Sequence, residues 1–134
     1  MAGEKIIVID DSRVSLEFIK SALKDDGYEI FPVTSALKGI DILNQHTDIM
    51  AVIVDWMMPV MDGIEFLHTI KKEERWRKIP VIMQTARTDK KSVIEGINAG
   101  AYYYLTKPFS EKLLCAIVRT AVSDYKNILH IIKS

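Results

Sequence analysis

The spacing of hydrophobic positions switches between two periods along the chain, and each switch is punctuated. Lys5 to Ile9 is a short, nearly all-apolar run stopped by Asp10-Asp11, which predicts a buried strand. From Ser12 to Asp26 the period becomes helical, with Leu16, Ile19 and Leu23 on one stripe and Gly27 as the stop. Tyr28 to Val33 predicts a second strand, and Pro32, with no N–H to donate, places it at a sheet edge. Ser35 is suited to cap a helix from Ala36 to about Gln45.

The third strand, Ile49 to Val54, is apolar throughout, as a central parallel strand is. A loop from Asp55 to Gly63 follows, with Pro59 and Asp62-Gly63 as turn residues, and then a helix from Ile64 to Glu74. Pro80 opens a fourth strand, Val81 to Thr85. Asp89 caps a helix from Lys90 to Ala99, ended by Gly100. Tyr102 to Leu105 is the fifth strand, and Ser110 caps a last helix reaching Lys133. Strands alternating with helices at this pitch imply right-handed crossovers and one parallel sheet, a single doubly wound α/β domain.

Composition narrows the function classes. At 134 residues the chain fits one domain, and 49% hydrophobic with 27% charged residues excludes disorder. Lys plus Arg and Asp plus Glu both number 18, so no global field attracts nucleic acid or an anionic membrane. Lys71-Lys72 and Lys90-Lys91 read as solvated helix faces. His46, His68 and His130 have no metal-ligand spacing and read as surface residues. The single Cys115 forms no internal disulfide and suits a reducing compartment. Ile6 to Ile9 is too short for a secretory core or a membrane span, so a cytoplasmic location is expected.

The remaining chemistry gathers at strand ends, where open α/β sheets bind ligands. Asp10 and Asp11 directly follow the first strand and Asp55 the third. In the order 2-1-3-4-5 these strands are neighbours, so three carboxylates converge. Capping of the next helix accounts for Asp11 with Ser12, but not for Asp55, which precedes Trp56 and Met57. Such a cluster calls for positive charge, and a hard divalent cation such as Mg²⁺ supplies it. Lys107, after the fifth strand, is placed to reach back toward Asp55, and Thr85 adds a hydroxyl at the same rim. These are the parts of phosphoryl transfer onto a carboxylate.

The ordered set Asp10-Asp11, Asp55-Trp-Met-Met-Pro59, Asp62-Gly63, Thr85-Ala86 and Lys107-Pro108-Phe109 resembles the response-regulator receiver family, over Glu4 to about Ser123. The resemblance implies a flavodoxin-like fold in which Asp55 accepts a phosphoryl group from the phosphohistidine of a sensor kinase or phosphotransfer protein. It implies Mg²⁺ held by Asp10, Asp11 and Asp55 with the backbone carbonyl of Met57. Lys107 would pair with Asp55 and then with a phosphoryl oxygen, Thr85 would swing to the phosphoryl group, and Tyr104 would move inward behind it. Small Ala86 leaves room for that group, and a cis Lys107-Pro108 bond is expected. Met57 and Arg87 occupy rim positions that vary in the family and set the phosphoryl lifetime. Gln84 points away from Thr85 by strand alternation and is assigned no role. Trp56 is expected to border the site, and Tyr102 and Tyr103 to be plain strand formers.

Two rival readings stand beside this one. An aspartyl-phosphate phosphatase similar to the haloacid dehalogenases needs a second Asp where this chain has Met57. A receiver-like module that only binds partners would be favoured by loss of Asp55 or Lys107, and both are present. The last helix adds a further expectation. It is free of Gly and Pro, runs about 36 Å if fully helical, and overhangs a strand of about 17 Å. Leu114, Val118, Ala121, Tyr125, Ile128 and Ile132 form a heptad seam whose first half suits the core. Tyr125, Ile128, Leu129, Ile131 and Ile132 are left to find partners. Residues 4–123 are thus read as the domain and 124–134 as a helical extension. That extension either leads into an output domain beyond Ser134 or, in a stand-alone regulator, pairs two copies of the chain or folds back.

Overall fold

The computed structural model describes residues 3–133. Five strands, β1 (Lys5–Ile9), β2 (Glu29–Val33), β3 (Ile49–Asp55), β4 (Val81–Thr85) and β5 (Tyr103–Thr106), form one sheet in the order β2-β1-β3-β4-β5. Every neighbouring pair is parallel. Between and after them run α1 (Arg13–Leu23), α2 (Ala36–Gln45), α3 (Gly63–Lys72), α4 (Lys90–Asn98) and α5 (Glu111–Lys133). β2 is an edge strand, where Pro32 costs the sheet no hydrogen bond. No helix among the described residues is long and apolar enough to cross a membrane.

Strand alternation divides the core into two layers. Ile6, Val8, Ala51, Ile53, Ile82 and Leu105 face α1 and α5, meeting Leu16, Ile19, Leu114 and Val118. Ile7, Ile9, Val52, Val54 and Met83 face the other way, against Leu43, Phe66, Leu67 and Ile70. The side chains at residues 10, 55 and 84, each two places on from one of the first set, therefore emerge on the α1/α5 side.

Helix starts follow side-chain chemistry. Ser12, Ser35, Asp62 and Asp89 each accept a backbone N–H of the first turn, and Ser110 does the same for Leu113. Asp62 and Glu65 form a full capping box, so Asp62-Gly63 is a helix start rather than only a turn. That box begins α3 at Gly63, and the helix ends at Lys72, two residues short of the expected Glu74. The first helix also ends early, at Leu23. A 3-10 turn over Lys24–Asp26 then leads to Gly27, left-handed at φ 78°.

α5 corrects the reading of its second half. Tyr125 needs no outside partner, since it is 9% exposed and belongs to the core. Leu129 packs partly against the same core. Ile128, Ile131 and Ile132 remain exposed, so only these three apolar side chains of the expected set overhang freely. Ser134, the last residue of the extension, lies outside the described residues.

One loop position is strained. Met61 donates its N–H to the carbonyl of Pro59 at 2.9 Å, closing a three-residue turn around Val60 at φ 72°. A β-branched residue in this region is a steric outlier, costing about 1–2 kcal/mol. Val60 is 89% exposed, so no packing offsets that cost. Val60→Gly should therefore stabilise the fold by about 1 kcal/mol, the relieved strain less the greater freedom of glycine in the unfolded chain. The expected readout is a higher urea midpoint at unchanged slope; a midpoint equal to or below the parent's would show that the turn relaxes around valine.

Candidate functional site

The parallel ladders set the site's frame. Ile9 lies opposite Val54, and Asp55 opposite Gln84, so the ends of β1, β3 and β4 are level. The N–H of Lys107 donates to the carbonyl of Thr85 at 2.8 Å, which carries the β4–β5 pairing one residue beyond Thr106 and anchors the lysine's base. The Lys107-Pro108 peptide is cis, as expected. On the far side, Gly63 donates to the carbonyl of Trp56 at 2.9 Å. A Cβ at Gly63 would come within 2.6 Å of the Asp55 carbonyl oxygen, so only glycine lets α3 start this close to the strand end.

Within this frame the three carboxylates meet. Asp10, Asp11 and Asp55 each offer one oxygen, all within 4.8 Å of one another, with Asp10 and Asp55 buried and Asp11 exposed. Asp10 Oδ1 accepts the N–H of Ser12 at 2.9 Å. Lys107 Nζ lies 3.5 Å from Asp10 Oδ2 and 3.6 Å from Asp55 Oδ2, bridging the two buried acids. Burial pushes the Asp55 carboxyl from its ordinary 3.8 up to about 6; the Lys107 ammonium opposes the shift, while Asp10 and Asp11 add to it. One ammonium thus faces three carboxylates, and the cluster could hold a metal ion.

Thr85 and Tyr104 belong to an adjoining group. Fully buried Thr85 accepts the N–H of Arg87 on its Oγ1 at 3.1 Å, and the Tyr104 hydroxyl donates to the Arg87 carbonyl at 2.9 Å. The Arg87 guanidinium sits 4.8 Å above the Trp56 ring, and Trp56 meets Tyr104 edge to face at 6.1 Å. A Cβ at Gly96 would lie 2.7 Å from the Tyr104 ring, so α4 leaves the space that ring fills. Burial raises the Tyr104 phenol above its ordinary value.

Several side chains differ from expectation. Trp56, expected to border the site, adjoins it from within the core, at 3% exposed. Tyr102 lies outside β5, and its hydroxyl donates to Asp124 at 2.5 Å, tying the strand's approach to α5. His46 is half-buried against the ring of Phe31 rather than a plain surface residue. Met57, by contrast, keeps an exposed side chain beside the acceptor strand. The residue overlooked is Gln84. Its Nε2 donates to Asp10 Oδ2 at 2.8 Å inside the protein, so it has a partner in the site itself. The alternation that turns it away from Thr85 is the signal, since it turns Gln84 toward the acids.

Comparison with known proteins agrees with this geometry. The family model for the response regulator receiver domain matches residues 6–119. The chain is 32% identical to a chemotaxis protein CheY homolog of Campylobacter jejuni, covering 82% of this chain and 85% of that one. It is 33% identical to the phosphate regulon transcriptional regulatory protein PhoB of Pseudomonas aeruginosa, over 91% of this chain but 53% of PhoB. A crystal structure of a response regulator receiver domain protein from Clostridium thermocellum superimposes with a TM-score of 0.85 at 32% identity, covering 96% and 99% of the two chains. With its 2-1-3-4-5 parallel sheet and its acidic cluster at the strand ends, the chain belongs to the response regulator receiver domain family of two-component signalling.

Proposed function

We propose that Asp55 is the phosphoacceptor of this receiver domain and that phosphorylation there switches its surface. The observation that carries the reading is the bridge of Lys107 between Asp55 and Asp10, beside a cluster with more negative charge than the protein neutralises. An Asp55 oxygen would attack the phosphorus of a phosphohistidine on a sensor kinase or phosphotransfer protein. The new P–O bond forms as the P–N bond breaks, and the histidine ring leaves with its electron pair. Lys107 then offers its ammonium to the phosphoryl oxygens.

The donor set fits Mg²⁺, since the clustered side chains offer only hard carboxylate oxygens and the excess charge is negative. Asp10, Asp11 and Asp55 with the Met57 carbonyl would hold it, and when bound it would neutralise charge on the phosphoryl oxygens. The chain acts as a signalling module, catalysing only its own phosphorylation and dephosphorylation. Exposed Met57, two residues after the acceptor, and exposed Arg87, stacked over Trp56, would govern water's access to the acyl phosphate. Thr85 and Tyr104 would carry the change to α4, β5 and α5, where Ile94, Ile97 and Tyr103 are exposed. Residues 4–123 would form the receiver, with 124–134 starting a helix that either links to an output domain or pairs with a second copy.

Incubation with Mg²⁺ and acetyl phosphate should add one phosphoryl group, seen by intact mass, and Asp55→Asn should abolish the gain. No gain in the parent, or the same gain in the variant, would sink the reading. Tryptophan fluorescence should change with the labelling, because Trp56 contacts both Tyr104 and Arg87.

The acidity of Asp55 gives a separate prediction. Its folded pKa, about 6, lies above its ordinary 3.8, so the folded state holds the proton more tightly. That contribution to stability is full below about pH 4, falls as pH rises through the window from 3.8 to 6, and is gone above it. In EDTA, Asp55→Asn should therefore match the parent near pH 4. Above pH 6 it should be more stable by about 2–3 kcal/mol, at 1.36 kcal/mol per pKa unit. Urea unfolding at a series of pH values measures this, and a stability difference that does not grow across the window would contradict it.

A further inference from the structure

We propose that Gln84 is a positioning residue, whose amide N–H fixes the Asp10 carboxylate in the orientation that takes a divalent cation. This rests on the phosphoacceptor reading above and adds to it a residue on β4 that the reading does not need.

The Gln84 amide faces Asp10 with its nitrogen end. A carboxylate only accepts, so the group 2.8 Å from Asp10 Oδ2 must be the NH₂ end. The carbonyl end is then left over. Gln84 Oε1 is buried without a hydrogen-bond partner, the one such side-chain atom among the described residues. A buried carbonyl with no donor loses its hydration and gains nothing in return. Packing does not require an amide here, because Ile82 and Leu105 on the same face are aliphatic. A side chain of equal length without polar atoms would remove the orphan. What it could not do is hold Asp10.

Asp10 shows why that hold matters. Its Oδ1 is fixed by the Ser12 N–H, and its Oδ2 is approached by two donors, the Gln84 amide at 2.8 Å and the Lys107 ammonium at 3.5 Å. The amide makes the shorter contact and carries no charge. Lys107 is consequently left almost midway between Asp10 and Asp55, at 3.5 and 3.6 Å. Without the amide, Lys107 is the donor left to Oδ2, and closing on it would put a positive charge where a cation must enter. It would also draw the lysine from Asp55. Gln84 thus satisfies a buried carboxylate oxygen with a neutral group and keeps the ammonium shared.

The test measures Mg²⁺ affinity directly. Isothermal titration calorimetry of MgCl₂ into the full chain is run on the parent and on Gln84→Met, which keeps the length and removes the amide. Gln84→Leu serves as the second variant should circular dichroism show the first unfolded. Loss of the hold should weaken Mg²⁺ binding about tenfold, as loss of a group that orients a metal ligand commonly does. Labelling by acetyl phosphate should be slow at low Mg²⁺ and return to the parental rate at saturating Mg²⁺. Unchanged or tighter Mg²⁺ binding in a folded variant overturns the proposal, as does a lowered melting temperature at unchanged affinity. So does a labelling rate that stays low at saturating Mg²⁺. A parent that gives no Mg²⁺ heat refutes the underlying reading instead.

Discussion

Every part of the site hangs from the register of parallel ladders. Parallel pairing brings the carboxyl ends of all strands to one edge, and the 2-1-3-4-5 order makes β1 and β3 neighbours there. Asp10 and Asp55 then have no choice but to face each other across the gap, and Lys107, held by its own N–H on the Thr85 carbonyl, has none but to reach between them. A one-residue slip of β3 would turn Asp55 into the opposite layer and bring Val54 or Trp56 into its place. The buried aliphatic faces of both layers forbid that slip, so the hydrophobic core sets the position of the charges.

The same constraint concentrates the fold's least favourable terms near its chemistry. Asp55 is held where its charged form is disfavoured, Gln84 keeps a buried carbonyl unpaired, and Val60 sits in a left-handed turn five residues after Asp55. Each runs against stability by about 1–3 kcal/mol. A chain selected for stability alone would place an asparagine, an aliphatic residue and a glycine at these points. Two of them sit at the ends of the neighbouring strands β3 and β4 and the third in the loop that leaves β3, and the apolar layers beneath supply the stability that tolerates them.

The sequence pattern made the sheet, its order and the acidic cluster legible because those depend on periods and strand ends. Apolar runs of five or six residues locate strands well, and residues directly after them must lie at the binding edge. What it hid depends on distances between elements. Tyr125 lies on the heptad seam in the half left without partners, yet it is core, because from α5 it reaches the apolar layer that holds Leu43, Phe66 and Ile70. Tyr102 reads as a strand residue until its hydroxyl is seen on Asp124. Gln84 is the instructive miss. Alternation gave its direction correctly, but a polar residue inside a buried apolar strand needs a partner, and asking for that partner would have pointed to the acids.

Alternation also bears on how the site is coupled to the rest of the molecule. Gln84 and Thr85 are consecutive residues whose side chains leave β4 on opposite faces. Gln84 binds Asp10 on the α1/α5 side, while Thr85 joins the group of Arg87, Tyr104 and Trp56 next to α4. The acids and the aromatic group therefore share one peptide unit of β4. Trp56 makes a second link, since it directly follows Asp55 and its ring touches Tyr104. The acids and Tyr104 are thus linked by short runs of backbone and single non-covalent contacts through both β3 and β4. Because Gly96 leaves the Tyr104 ring in close contact with α4, a movement of that ring must be felt by the helix. The acids and the aromatic group are set on opposite faces of β4 and joined at the strand ends that build the site.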